Sequence, residues 1–270
     1  MQVDRIDRFS PDLDEFAVNS PDATFYHSST WIESIARAFT EMRLECLVAR
    51  QGTELLGYLP YFIVKKGPLR AAWSLPFGTY GGPVVSEGDD VARTLIDSFW
   101  ELRKRGGIHE VGLVDFSNRF VGDKTGVVEE TTHILELKED FDSLQANHFE
   151  KSKRRQARKA QREGVRVTEA RTVEEVLQYY DIYLKRMEEW SESFLYPERL
   201  FAELFERGPG RVRLFLAYEG DVLVGGHLNF YFKDTVIAWN GVTAGPGGGS
   251  QASTLLYSEC IRNACENGFR

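Results

Sequence analysis

Residues 47–57 read LVARQGTELLG, and residues 215–225 read FLAYEGDVLVG, so the pattern A-x-x-G-x-x-L-x-G occurs twice, 168 positions apart. In each copy two apolar runs flank a glycine, Gly52 or Gly220, at the point where the turn of a tight β-hairpin requires a positive φ. The repeat therefore predicts two equivalent hairpins. Chance resemblance between two unrelated hairpins is the alternative, and the order of the surrounding elements argues against it.

The elements around the first hairpin form an α/β pattern. A helix precedes the hairpin, and Thr30 followed by Glu33 predicts a capping box at its start. After the hairpin the sequence predicts a strand at 71–75 and a turn rich in glycine and proline. A helix with one apolar face at 90–105 and a buried strand at 108–116 complete the series.

The second hairpin has the same neighbours in the same order. Thr172 and Glu175 predict the capping box of a long helix with an apolar face, and a shorter helix follows it. The hairpin leads to a strand at 235–242 and then, after a glycine-rich turn, to a helix at 250–267 that ends at Gly268. The repeat thus extends beyond the hairpin to the whole half of the chain.

We therefore predict a mixed α/β fold of two similar units, at residues 1–130 and 131–270, joined through a basic helix at 149–163. In the first unit the last predicted helix is followed by a strand, whereas the sequence ends at Arg270, just after the corresponding helix. We expect the second unit to be incomplete at its C-terminus, and the natural protein to continue.

Composition excludes several classes of protein. The chain has 270 residues, of which 42% are hydrophobic and 13% aromatic, so it can bury a core and is not a disordered protein. It contains no run of about 18 apolar residues and no signal-like N-terminus, so we predict no membrane span and no export signal. Three cysteines, an odd number, fit a reducing, cytoplasmic compartment. The net charge of −8 argues against a DNA-binding protein.

One segment departs from this acidic average. Between residues 151 and 166 there are eight Lys or Arg residues and a single acid, Glu163. A helix would gather Lys151, Arg155, Arg158 and Arg162 on one face, flanked by Arg154 and Lys159, with Ala157 and Ala160 on the other face. Like charges three or four residues apart destabilise a helix, so we infer a site for phosphate groups, with a solvated face as the alternative. The predicted phosphate-binding residues are Lys151, Arg154, Arg155, Arg158, Lys159 and Arg162.

The glycine-rich turn before the last helix is a second candidate site. A loop of this kind at a helix N-terminus presents backbone N–H groups that can hold a phosphate or an oxyanion, and a plain flexible turn is the alternative. It matches neither the Walker loop nor the dinucleotide fingerprint. The predicted donor-binding and oxyanion residues are Gly248, Gly249, Ser250, Gln251 and Ala252.

Side chains for catalysis are few. The five histidines show no metal-ligand spacing and the sequence has no G-x-S-x-G elbow, so we predict no metal site. Asp115, at the end of a strand, and His227, in the second hairpin, are the candidate catalytic bases, with a structural role as the alternative for each. Tyr80, Trp239 and Asn240 are candidates for residues that line a cleft.

Several motifs together resemble one family. Residues 25–31, FYHSSTW, are similar to the F-x-x-S-x-x-W opening of the Fem-type peptidoglycan-bridge aminoacyltransferases and of their exopolysaccharide and cellulose-biosynthesis acetyltransferase-like relatives. The YGGPV segment at 80–84 resembles a segment of that group that ends in Gly-Pro-Val. The basic stretch at 153–165 resembles the family's basic helix that ends in Gly-Val. Residues 255–257 and 266–270 resemble its last helix and the strand that follows.

This resemblance implies tandem domains of the GNAT (GCN5-related N-acetyltransferase) fold. It also implies acyl or aminoacyl transfer to an amine on a peptidoglycan or polysaccharide precursor, with acyl-CoA or aminoacyl-tRNA as co-substrate and no tightly bound cofactor. The acetyl-CoA signature Q/R-x-x-G-x-G/A is not present in residues 245–251, which counts against coenzyme A as the donor.

Two other functions stay open at this point. One is acetyl-CoA-dependent N-acetylation in exopolysaccharide biosynthesis, and the other is a non-catalytic module that binds RNA or a protein partner. The partners expected from the resemblance are an envelope-precursor acceptor and tRNA, and peripheral contact with a lipid-linked precursor stays open as well.

Overall fold

Two β-sheets organise the chain, one in each of two units, Met1–Thr131 and Thr132–Arg270. The structure is a computed structural model, and it describes residues 1–86, 88–104, 107–116, 128–137, 140–244 and 251–270. Within these ranges no helix is long and apolar enough to cross a membrane.

The first unit is a mixed sheet with helices. Its strands are β1 (Gln2–Ile6), β2 (Arg43–Gln51), β3 (Glu54–Lys66), β4 (Leu69–Ser74), β5 (Val84–Val85) and β6 (Ile108–Leu113). Its helices are α1 (Pro11–Asn19), α2 (Ser29–Ala38) and α3 (Asp89–Trp100), with short 3-10 turns at Phe25–His27 and Glu101–Lys104. The strand order is β1-β2-β3-β4-β6, β5 pairs with β3, and only the β4–β6 pair is parallel.

The second unit repeats this plan with an antiparallel sheet in the order β10-β9-β8-β7. Its strands are β7 (Val165–Glu169), β8 (Val212–Glu219), β9 (Val222–Phe232) and β10 (Thr235–Thr243). Its helices are α4 (Phe141–His148), α5 (Lys151–Arg162), α6 (Val173–Glu189), α7 (Glu198–Arg207) and α8 (Ala252–Glu266).

The two hairpins are equivalent down to their irregularities. In β2–β3 the pair Ala49–Gly57 is followed by a register shift, and in β8–β9 the pair Ala217–Gly225 is followed by the same shift. Each shift is a β-bulge, in which one extra residue, Leu56 or Val224, has no partner on the neighbouring strand. The predicted mixed α/β fold with two tandem units is therefore confirmed.

One of the two predicted capping boxes is wrong. Helix α2 begins at Ser29, and its N-cap is Ser28, whose Oγ accepts a hydrogen bond from the Trp31 N–H at 3.5 Å. Thr30 lies inside the first turn, because Ser28, which is also a favoured N-cap residue type, caps the helix two residues earlier without a capping box. The box at Thr172 is confirmed: its Oγ1 accepts from the Glu175 N–H at 3.3 Å, and the Glu175 carboxylate accepts from the Thr172 N–H at 3.1 Å.

The sheet of the second unit is covered on both faces. Gly226 and His227 are consecutive on β9 and point to opposite sides. A Cβ on Gly226 would lie 2.7 Å from the Tyr179 ring of α6, whereas the His227 ring lies 4.5 Å from the Tyr257 ring of α8. Helices α6 and α7 therefore cover one face and α8 the other. Helix α5 packs beside α8 through buried Ala157 and Ala160 and the 3.2 Å Thr254–Gln156 hydrogen bond.

Candidate functional site

A row of buried polar side chains lies under α8. His227, Asn229 and Tyr231 alternate along β9 and so share one face of the sheet, and each is 2% exposed or less. The Asn229 amide donates to the Cys260 Sγ at 3.3 Å, and the Tyr231 hydroxyl donates to the Asn263 Oδ1 at 3.1 Å. The row therefore joins the central strand to the helix by polar contacts.

The first unit places different residues at the same positions. Counting back 168 residues from the polar row gives Leu59, Tyr61 and Ile63, which belong to the apolar core packed against α3. At equivalent positions of the two hairpins, the first unit thus has Leu59 and the second unit has the buried His227. Because a buried polar group costs free energy unless it is hydrogen-bonded, this substitution makes the face of β9 under α8 a candidate site.

His227 is the most unusual member of the row. Its Nδ1 is buried and has no hydrogen-bond partner within the described part of the chain, and the same holds for the Asn229 Oδ1. Burial lowers the pKa of His227 from its usual 6.5 to about 4. The imidazole is therefore neutral at pH 7, and its ring nitrogens can form a hydrogen bond with a bound molecule.

A cavity of about 140 Å³, which we call the small cavity, adjoins His227. Its lining comes from β9, β10, α8 and the C-terminal end of α6. The described lining residues are Arg186, Trp190, Gly226, His227, Gly241, Val242, Thr243, Ser253, Leu256 and Tyr257. Gly241 is needed for this arrangement, because a Cβ there would lie 2.3 Å from the His227 Cδ2.

A cation lies in the wall of the small cavity. Arg186, in the last turn of α6, forms an ion pair with Glu189, and its guanidinium carbon lies 4.7 Å from the centre of the Trp190 ring. Its side chain is 13% exposed. Sequence analysis missed Arg186, because an arginine in the last turn of a helix is common where it offsets the helix dipole.

The N-terminus of α8 borders the same region. Gln251 is its N-cap, Ala252 is fully buried and Ser253 lines the small cavity. The N–H groups of a helix's first turn have no partner within the helix, so they are available to an anion or a polarised carbonyl. The other predicted donor-binding residues, Gly248, Gly249 and Ser250, lie outside the described residues.

The cationic face of α5 lines a larger cleft of about 790 Å³. The described lining residues are Lys151, Arg154, Arg155, Arg158, Gln161 and Arg162. Arg154 is half-buried and donates to the Ala146 carbonyl at 3.0 Å, and Lys159 pairs with Glu163 at 3.5 Å. The other four cations of the predicted site, Lys151, Arg155, Arg158 and Arg162, form no ion pair with any residue that the structure describes. Their charge is available to a bound anion.

Comparison with known proteins agrees with this architecture. Residues 147–270 match the family model for an acetyltransferase (GNAT) domain. We refer to residues 147–270, which are similar to this family, as the GNAT domain. No curated protein matches the chain.

Three solved structures show how far the fold extends beyond the GNAT domain. FemX has a TM-score of 0.70 at 14% identity, over 98% of this chain and 86% of FemX. A conserved protein of unknown function from Bacteroides thetaiotaomicron has a TM-score of 0.61 at 10% identity, over 99% and 88% of the two chains. L-PGS from Bacillus licheniformis has a TM-score of 0.56 at 11% identity, over 96% and 76%. The shared fold therefore covers both units.

The GNAT domain contains some of the sequence-predicted residues and not others. The structure brings His227, of the two candidate bases, to the small cavity, while Asp115 follows β6 in the first unit. Trp239 stacks on Phe230 with ring centres 5.1 Å apart, and the Asn240 Oδ1 accepts from the Tyr179 hydroxyl at 2.5 Å. Asn240 thus contacts α6, whereas Trp239 packs against β9 and against Phe201 of α7.

Tyr80 belongs to the first unit, where its ring lies 4.6 Å from the Phe116 ring and 5.7 Å from the Tyr26 ring. No group of three or more His, Cys, Asp or Glu side chains that could hold a metal ion occurs in the described part of the chain.

Proposed function

We propose that this chain is an N-acyltransferase that moves an acyl or aminoacyl group to an amine on a cell-envelope precursor, a peptidoglycan or polysaccharide intermediate. The reaction takes place in the GNAT domain. The observation that carries the proposal is the neutral His227 in the wall of the small cavity, beside the N-terminus of α8. The sequence resemblance to Fem-type transferases and the fold shared with FemX support the choice of reaction.

The carbonyl of the donor is held at the start of α8. The backbone N–H groups of Gln251 and Ala252 donate to the oxygen that gains negative charge when the amine attacks. The sequence assigns the same role to Gly248, Gly249 and Ser250, which lie outside the described residues. The positive end of the α8 dipole acts in the same direction. This step needs no side chain, which agrees with the absence of a conventional catalytic motif in the sequence.

His227 orients the attacking amine. Its neutral imidazole accepts a hydrogen bond from an N–H of the amine, which directs the nitrogen lone pair towards the carbonyl. With a pKa of about 4 the ring does not hold the proton that the amine releases. Water carries that proton to the leaving group, the sulfur of coenzyme A or the 3′-oxygen of the tRNA, as its bond to the carbonyl carbon breaks. Asp115 remains the alternative base from sequence.

The cationic face of α5 holds phosphate groups of a substrate. Its 12 residues extend over about 18 Å, so it can contact several phosphates at once. Both proposed donors carry phosphates, acyl-CoA in the coenzyme and aminoacyl-tRNA in the RNA backbone. The family model, an acetyltransferase domain, favours acyl-CoA, and the Fem resemblance favours aminoacyl-tRNA. We place the reaction in the cytoplasm, with peripheral contact if the acceptor is lipid-linked.

Mass spectrometry of reaction mixtures tests the proposal. The purified chain is incubated with acyl-CoA or aminoacyl-tRNA donors and a pool of envelope precursors, and products are identified by their mass gain. We expect donor-dependent acylation of an amine, reduced about 100-fold or more by His227→Leu, which installs the residue of the first unit. His109→Gln, at an exposed histidine, is the matched control. Binding of RNA or precursor without donor consumption would show a non-catalytic module instead.

A further inference from the structure

The proposed mechanism leaves one wall of the small cavity without a role. Arg186 and Trp190 close the cavity from the C-terminal end of α6, away from the strand that carries His227. The arginine is fixed from two sides, by the ion pair with Glu189 and by the Trp190 ring. A guanidinium with its position fixed in this way can form paired hydrogen bonds with a second planar anion.

The charges around the small cavity favour an anion. Arg186 supplies a guanidinium whose charge Glu189 offsets in part, and the first turn of α8, where Ser253 lies, supplies the positive end of a helix dipole. None of the described lining residues is acidic. The buried His227 Nδ1 has no partner within the described part of the protein, and as an acceptor it fits the amine of the same ligand.

The size of the small cavity limits the ligand. Pockets for drug-sized ligands measure about 300–1,000 Å³, and this one measures about 140 Å³. It can hold a group of a few heavy atoms, such as a carboxylate with the carbon and nitrogen next to it.

We propose that the small cavity binds a carboxylate of the amine acceptor and that Arg186 is the residue that selects for it. This inference rests on the proposed function for the identity of the ligand as the acceptor. The acceptor is then an amine with a carboxylate within a few bonds, as in an amino acid or the terminal residue of a peptide. The carboxylate lies against the Arg186 guanidinium while the amine lies at His227. Trp190 keeps the guanidinium in place.

The anion site can be tested without any turnover. Acetate and acetamide have the same shape and differ in charge, so each is titrated into the whole chain while the ring signals of His227 are followed by NMR. We expect acetate to shift these signals to saturation and acetamide to leave them unchanged. Equal responses to the two probes would overturn the proposal, and tighter binding of inorganic phosphate than of acetate would assign the site to phosphate instead.

Variants test whether the anion site is at Arg186. Arg186→Gln should weaken acetate binding about 10- to 100-fold, the effect of losing a charge-assisted hydrogen bond, while Arg199→Gln, at an exposed arginine of α7, should have no effect. Glu189→Gln removes the competing carboxylate and should tighten acetate binding, which keeps the proposal testable if Arg186→Gln does not fold. The proposal would be refuted if a folded Arg186→Gln variant bound acetate with wild-type affinity, or if the Glu189→Gln variant showed no change in acetate affinity.

Kinetics separate this inference from the proposed function. In the transfer assay Arg186→Gln should raise KM about 10- to 100-fold for acceptors with a carboxylate and leave KM unchanged for the same acceptors capped as amides. If acetate binds at Arg186 and no donor is ever consumed, the anion site stands and the proposed function fails. If transfer occurs and Arg186→Gln affects both kinds of acceptor equally, the proposed function stands and the inference fails.

Discussion

Acidification should remove the stability that depends on the buried, neutral His227 of the second unit. In the folded chain burial lowers the pKa of this imidazole to about 4, whereas in the unfolded chain it returns to about 6.5. Between these values the unfolded chain binds a proton that the folded chain does not bind. The contribution of His227 to the free energy of unfolding is therefore fully present above pH 6.5 and decreases as the pH is lowered towards 4.

The magnitude follows from the size of the pKa shift. Each pKa unit corresponds to about 1.4 kcal/mol, so a shift of this size contributes roughly 3 kcal/mol of stability at pH 7 that is absent at pH 4. This is a large fraction of the 5–15 kcal/mol typical of a folded domain. His227→Leu removes the titrating group, and its stability should lack this part of the pH dependence.

Urea denaturation of the wild type and of His227→Leu at a series of pH values between 7.5 and 4 measures this difference. The two stability curves should diverge by about 3 kcal/mol across the range. His109→Gln, at an exposed histidine, should follow the wild type. Parallel curves for wild type and His227→Leu, or an NMR titration that finds the His227 pKa near 6.5, would refute the reasoning.

Three further changes have clear expected outcomes. Gly241→Ala places a Cβ 2.3 Å from the His227 ring and should cost about 1–3 kcal/mol in urea denaturation, a loss that His227→Ala in the same chain should relieve. Arg155→Gln with Arg158→Gln should leave the melting temperature unchanged or slightly higher, because like-charge repulsion is relieved. The affinity of this double variant for a phosphate-bearing donor, measured by titration calorimetry, should fall about 10- to 100-fold per residue and become less sensitive to salt. Wild-type affinity would indicate that the cationic face of α5 is only a solvated face. Thr172→Ala removes the N-cap of α6 and should cost about 1 kcal/mol by thermal denaturation.

The sequence was sufficient for the fold because the fold depends on local patterns. The hairpins at Gly52 and Gly220, the helix that starts at Thr172 and the apolar stripe of α3 all follow from the spacing of apolar residues and from turn and cap chemistry. The prediction failed at Thr30, where the Thr30–Glu33 spacing fits a capping box and Ser28, two residues earlier, is the N-cap.

The candidate site was harder to predict from the sequence than the fold, because it is assembled from residues far apart in the chain. His227 was found as a polar residue in an apolar hairpin. Arg186 and Tyr257 line the same cavity as His227 because α6 and α8 pack on the sheet, and no local sequence pattern indicates this packing. Trp239 and Asn240 were expected in a cleft. In the structure Trp239 packs on Phe230 of β9 and Asn240 on Tyr179 of α6, beside a bulge that interrupts the regular alternation of faces along β10.

The extra residue in the second hairpin also determines towards which face of the sheet His227 points. Side chains of a strand alternate with a period of two, so one inserted residue reverses the orientation of everything beyond it. Val224 is that residue in β9, and without it the β9 residues beyond it would exchange faces, so that His227 would point towards α6 and Gly226 towards α8. A single-codon deletion there would exchange the two faces of the strand while altering neither the histidine nor any other cavity residue. The direction in which His227 points therefore depends on whether the number of residues in the hairpin is odd or even, and both halves of the chain contain the same extra residue.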